Sequence, residues 1–207
     1  PFTPNREVDV VEWLEPDAAI ARMTQAHDAE LVALALAEPL GTPLVVLRHA
    51  KARSRSSWKG SELERPLTRT GAKNAKALAP LLQAYDVRRL HPSTAVRSVR
   101  TVKPYARTAG LLVSEEPLLA EEAFESDPAV GLARAESLTR STAVSGEATV
   151  LCTHRPVIPV LVSHLLEGSG LVGPTEPLGT AAMVVVHVDI DVAEGSDRVL
   201  AVETHAL

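Results

Sequence analysis

Two short apolar runs in this chain of 207 residues are unbroken rather than alternating, and both stop at a histidine. Leu44 to Leu47 runs into Arg48-His49, and Val150 to Cys152 runs into Thr153-His154. Continuous aliphatic runs of this length predict strands buried on both faces, as in a parallel sheet covered by helices. Between them the period changes to that of a helix. Ala72, Ala75, Leu78, Ala79 and Leu82 fall on one face of a helix that follows residues 65–71 and is predicted to run to about Ala84, with Thr68 or Thr70 as its cap. Further helices are predicted over about 95–109, 128–142 and 157–166, and short strands over 87–90 and 110–113. A loop is expected over 117–122, and a closing strand pair over 181–190 and 198–204 flanks the turn-rich residues 191–197. Strands alternating with helices predict an α/β fold with a mainly parallel central sheet flanked by helices.

Before the first buried strand the pattern is weaker. Glu7 to Val10 alternates as a half-buried strand would, Glu15-Pro16-Asp17 opens a short helix to Met23, and Gln25 to Ala37 reads as a connecting helix. Two prolines and a glycine between Glu38 and Pro43 end that helix and mark a boundary. The organisation predicted is therefore 1–24, a connector over 25–43, and a main domain over 44–207. A strand as short as 7–10 with no partner cannot stand alone. Together with the absence of an initiating methionine, this makes a fragment of a longer protein the expectation.

Composition narrows the function classes. The chain is 45% hydrophobic and 23% charged, an ordinary globular balance, with aromatics at 3% and hence an aliphatic core. Its formal charge of −5 gives no general attraction to a nucleic-acid polymer or an anionic membrane, so any bound anion must be held by local arginines. Cys152 is the single cysteine, which fits a reducing cytoplasm. No apolar run approaches the ~20 residues of a membrane span.

Open parallel sheets place their chemistry outside the carboxyl ends of strands. Arg48-His49 and His154 occupy such ends, and Arg97 sits early in the helix after His91-Pro92-Ser93. Two histidines and two arginines suit a phosphoryl group. A neutral imidazole attacks phosphorus, guanidinium forks orient the other oxygens, and a carboxylic acid protonates the leaving oxygen. Lys51, Arg53, Arg55, Lys59 and Arg65 form a basic loop directly after His49, and Trp58 within it is either a base-stacking residue or a packed anchor. The other histidines (His27, His91, His164, His187, His205) lack ligand spacing, so no metal site is expected.

Four elements in order resemble the histidine phosphatase superfamily, the phosphoglycerate-mutase-like branch of α/β folds. They are Arg48-His49-Ala50, Leu67-Thr68-Arg69-Thr70-Gly71, the Ser93-x-x-x-Arg97-x-x-x-Thr101 element, and Thr153-His154. Arg-His-Ala is typical of its phosphohistidine-phosphatase-like subgroup. The resemblance implies His49 as the nucleophile that becomes phosphohistidine, with Arg48, Arg97 and His154 on the phosphoryl oxygens. It also implies Glu121, after Leu119-Ala120, as the acid/base, with Glu122 as fallback. Thr153 stands where glycine is usual, and Arg100 where glutamine is common. Arg100, Lys51, Arg53 and Arg55 are expected to meet further phosphates of a polyanion.

Residues 1–24 look like the closing strand and short helix of a Nudix hydrolase domain, without its Glu-rich metal-binding box; the alternative is an arm packed on the following domain. Histidine phosphatase domains that follow a Nudix domain in an actinobacterial MutT-like chain imply sanitation of oxidised guanine nucleotides such as 8-oxo-dGTP, and cleavage of dinucleoside polyphosphates. The expected division of labour gives Mg2+ to the Nudix part and no cofactor to residues 44–207. The expected partners are a phosphorylated small molecule and the Nudix domain of the same protein. A protein phosphohistidine phosphatase and a non-catalytic nucleotide-binding module are the competing readings.

Overall fold

The apolar run at Leu44 lies at the centre of a five-stranded sheet because both of its faces are covered by helices. In the computed structural model, which describes residues 2–37, 41–191 and 196–207, the strands are β1 (Thr42–Arg48), β2 (Arg89–Pro92), β3 (Thr149–Thr153), β4 (Met183–Asp191) and β5 (Ser196–His205). Their order across the sheet is β2-β3-β1-β4-β5. β1, β2 and β3 run parallel, and β4 and β5 are joined on antiparallel. The helices are α1 (Pro16–Arg22), α2 (Ala26–Ala37), α3 (Arg69–Ala84), α4 (Val96–Ala109), α5 (Glu121–Ser126), α6 (Pro128–Ser145) and α7 (Val157–Leu165).

Alternation along β1 divides the core. Val45 and Leu47 pack with Val150 and Cys152 against Ala75, Leu78 and Leu82 of α3 and Val102 and Tyr105 of α4. Leu44 and Val46 pack on the opposite face with Ala135 and Leu138 of α6 and Ile158, Leu161 and Val162 of α7. Burial on both sides is why β1 and β3 read as unbroken apolar runs.

Register then sets the position of the chemistry. Arg48 of β1 pairs with Thr153 of β3, so His49 and His154 leave adjacent strands side by side. The next residue along β2, Ser93, donates its amide to Cys152 at 2.9 Å, which brings a third strand end to the same edge.

Several predicted boundaries moved for local reasons. Glu7–Val10 forms no strand: the Asn5 side chain accepts from the amides of Glu7 and Val8 at 2.8 and 2.9 Å, a turn that competes with extended pairing. The strand expected over 110–113 is reduced to a single bridge from Val113 to Leu90, because Gly110 takes the left-handed conformation (φ 69°) that caps α4. The loop expected over 117–122 instead winds into a short turn and α5. Pro1, the predicted boundary at 38–40 and residues 192–195 of the final turn lie outside the described residues. Residues 1–40 and 41–207 form separate compact units. In the first, no residue of α1 or α2 is buried.

Thr68, not Thr70, caps α3, accepting from the Gly71 amide at 3.0 Å. The same Thr68 donates both its amide and its hydroxyl to the Lys51 carbonyl, at 2.8 and 3.0 Å. Gly71 is needed because a Cβ there would sit 2.0 Å from that carbonyl oxygen, backbone that cannot swing aside. The Leu-Thr-x-x-Gly element thus pins the chain just after His49. Gly71→Ala is expected to lower stability by about 1–3 kcal/mol and to displace the 51–55 loop, checked by urea denaturation and by protease sensitivity of that loop.

Candidate active site

The site is assembled around one guanidinium. Arg97, on the first turn of α4, is 1% exposed and lies between the two strand-end histidines. Its Nε donates to His49 Nε2 at 3.2 Å, its Nη2 to His154 Nδ1 at 3.1 Å, and its Nη1 to the Glu62 carbonyl at 2.7 Å. The two imidazole rings are 5.2 Å apart, centroid to centroid. Arginine here is always a donor, which fixes both tautomers. His49 carries its proton on Nδ1, donated to the Ala50 carbonyl at 2.8 Å, and keeps the Nε2 lone pair. His154 accepts at Nδ1 and donates from Nε2 to Ser93 Oγ at 2.8 Å.

The spacing of the Ser93, Arg97, Thr101 element follows from these contacts. Arg97 and Thr101 are four residues apart, on one face of α4. Thr101 donates to the Arg97 carbonyl at 2.7 Å and accepts from the Ala50 amide at 2.9 Å. Ser93 orients one histidine, Arg97 bridges both, and Thr101 holds the backbone beside the other.

Carboxylates face this guanidinium. Glu121, at the start of α5, sits 3.4 Å from Arg97 Nη2 and 3.9 Å from His154 Nδ1, and pairs with Arg55 at 2.6 Å. Glu122 beside it is exposed. Glu62 approaches the same Arg97 nitrogen at 3.4 Å and pairs with Arg65 at 2.6 Å. Burial raises the Glu62 carboxyl, but the Arg65 hydrogen bonds, with Arg97 and Arg55, hold it below the usual carboxylate range.

A cleft of about 320 Å3 opens here, lined by Arg48, His49, Lys51, Arg53, Arg55 and Arg65 together with Glu121 and Arg155. Arg48 donates an Nη1 proton to the Leu178 carbonyl, while its Nε is buried without a hydrogen-bond partner. An orphan buried donor in a cation-lined cleft is a place for a ligand oxygen. Burial, then Arg97, Arg48 and Arg65, push the His49 imidazole down to about 4 against the opposing pull of the Ala50 hydrogen bond. His154 is lowered further, by burial first and then by Arg97. Both imidazoles are neutral at pH 7, and one presents a free-base nitrogen beside fixed positive charge.

The structure therefore gathers His49, His154, Arg48, Arg97, Glu121, Lys51, Arg53 and Arg55 at one place. It does not bring in Arg100, which is exposed and does not line the cleft. Sequence reasoning passed over Glu62 and Arg155; the i, i+3 spacing of Glu62 and Arg65 was the available signal for the first. Trp58 is anchored within its own loop, its Nε1 donating to the Ser61 carbonyl at 2.8 Å, and does not line the cleft. Among the described residues no group of three or more His, Cys, Asp or Glu is arranged to hold a metal ion.

Comparison with known proteins agrees with this geometry. Residues 44–136 match the family model of the histidine phosphatase superfamily, branch 1. Residues 44–136 therefore belong to the histidine phosphatase superfamily. A curated relative, the 8-oxo-(d)GTP phosphatase of Mycolicibacterium smegmatis, is 35% identical over 167 residues, which cover 80% of this chain and 51% of the relative. The chain thus spans about half the length of that relative. In fold, the chain is similar to the protein histidine phosphatase SixA complexed with tungstate (TM-score 0.58, 22% identity, covering 78% of this chain and 96% of that one). It is also similar to a mycobacterial glucosyl-3-phosphoglycerate phosphatase complexed with VO3 (TM-score 0.56, 18% identity, covering 77% and 98%).

The lowered His49 pKa links site and stability. Above pH 6.5 folded and unfolded states both hold it neutral; as pH falls toward 4 the unfolded state takes the proton first, so stability is lost across that window. For His49 alone the loss is about 3 kcal/mol, and His154 acts in the same direction. Urea midpoints measured at pH 7 and pH 4 are expected to show this fall, and His49→Gln to reduce it.

Proposed function

We propose that the chain is a phosphatase working through a phosphohistidine on His49, with nucleotides as substrates. The observation that carries this reading is the His49 Nε2 lone pair, held neutral inside a cleft walled by guanidinium groups. In the first step His49 gives up the Arg97 hydrogen bond, Nε2 bonds to phosphorus while the bond to the leaving oxygen breaks, and Glu121, entering in its carboxylic acid form, passes its proton to that oxygen. In the second, water attacks the phosphohistidine, Glu121 takes its proton, the P–N bond breaks and inorganic phosphate leaves. Arg48, Arg97 and His154 hold the non-reacting oxygens. Arg48 Nε is without a partner before substrate arrives, whereas Arg97 and His154 exchange bonds they make with each other and with His49 for bonds to those oxygens.

Nucleotide specificity is supported by two things. The relative from M. smegmatis is an 8-oxo-(d)GTP phosphatase, and Lys51, Arg53 and Arg55 continue the positive lining past His49 toward a second phosphate. In this reading residues 1–24 are the closing segment of a Nudix-like domain of the same cytoplasmic protein, 25–43 are its connector, and 44–207 are the phosphatase domain. The Nudix part contributes Mg2+-dependent triphosphate chemistry, and residues 44–207 act without a metal on diphosphates such as 8-oxo-dGDP or on terminal phosphates. The likeness to SixA favours, as a second reading, action on a phosphorylated protein histidine.

A panel of 8-oxo-dGTP, 8-oxo-dGDP, dinucleoside polyphosphates and a phosphohistidine peptide, assayed with and without EDTA, separates these readings. The expected outcome is EDTA-insensitive release of phosphate from nucleotides, abolished in His49→Ala. Loss of activity in EDTA, activity confined to the peptide, or unchanged hydrolysis in His49→Ala counts against the proposal.

A further inference from the structure

A groove of about 1050 Å3 opens next to the cleft, between the outer face of α7 and the chain from Leu171 to Leu178. Two residues join the cavities. Arg155 lines both, and Leu178 lines the groove while its carbonyl holds Arg48 of the cleft.

The two cavities are opposite in character. Arg155 is the only arginine or lysine among the described residues lining the groove, and the acidic Glu167 and Glu176 also line it. Its wall is built from Ile158, Val160, Val162, Leu171, Val172 and Leu178. Two of these apolar residues are left uncovered, Val172 at 78% exposure and Val160 at 45%. A phosphate in the groove would meet carboxylates, whereas in the cleft it meets Arg48, Lys51, Arg53, Arg55 and Arg65. Small-molecule sites are concave and mostly apolar with a few polar groups, and this groove has that make-up. Ser163 and Thr175 supply the hydrogen-bonding groups along it.

We propose that the groove is the subsite for the nucleoside part of the substrate, with Arg155 at the junction meeting the phosphate nearest the sugar. The inference rests on the phosphatase reading of the cleft and adds what that reading lacks, the seat of the uncharged end. Charge fixes the orientation: the anionic end enters the cleft and the neutral, flat end covers Val160 and Val172.

The test uses the full 207-residue chain carrying His49→Ala, so that ligands bind without turnover. Calorimetric titration with dGDP and with pyrophosphate is expected to show dGDP binding more tightly by about tenfold or more. Val160→Asp and Val172→Asp, both at uncovered positions, are each expected to erase that advantage and leave pyrophosphate binding as it was. Pyrophosphate and dGDP binding equally, or both variants leaving dGDP binding intact, overturns the subsite and leaves the phosphatase reading standing. Failure of both ligands to bind overturns the subsite and the phosphatase reading together. Val172→Asp weakening a phosphohistidine-analogue peptide but not dGDP assigns the groove to a peptide and also overturns the proposal.

Discussion

Everything in the site depends on a buried arginine shared by two histidines. Arg97 has almost no contact with solvent, and burial followed by the nearby Arg65 lowers its own pKa. A guanidinium in that position survives because each of its nitrogens has a partner: two imidazoles, a backbone carbonyl and two carboxylates. Breaking a buried charge network of this kind by removing one member is costly. Burial first and Arg97 after it keep both imidazoles neutral, and the contacts that hold the buried charge also aim the rings, so stability and chemistry share one set of bonds.

The network in turn depends on sheet register. Pairing of Arg48 with Thr153 places the two histidines at neighbouring strand ends. A slip of one residue would turn every side chain of β1 to the other face and separate them. That register is enforced by the two aliphatic cores, which accept Val45 and Leu47 on one side and Leu44 and Val46 on the other. The Leu-Thr-x-x-Gly element adds a second restraint by seating the Lys51 carbonyl against Gly71.

Much of this was legible in the residues because the site is built from local motifs on strand ends and one helix turn. The unbroken apolar runs named β1 and β3, and the four-residue spacing of Arg97 and Thr101 named a helix face. What stayed hidden depends on contacts made across the fold. Glu62 looked like any charge in a polar loop until that loop was laid over Arg97. Arg155 follows His154 directly in sequence, yet nothing local shows that its side chain lines the cleft. Arg100 was overread: its nearness to Arg97 in sequence says little about direction on a helix, and it is exposed to solvent. Glu7–Val10 alternates like a strand, yet Asn5 offers its amides a closer partner.

The central claim is that His49 Nε2 becomes bonded to phosphorus. Rapid acid-free quenching of the 207-residue chain during turnover of 8-oxo-dGDP, followed by mass spectrometry of its peptides, tests this directly. The account predicts one acid-labile phosphate on the peptide containing His49, bound through Nε2 and absent from His49→Ala. A phosphate on another residue, or steady turnover with no phosphorylated enzyme at any quench time, would contradict it.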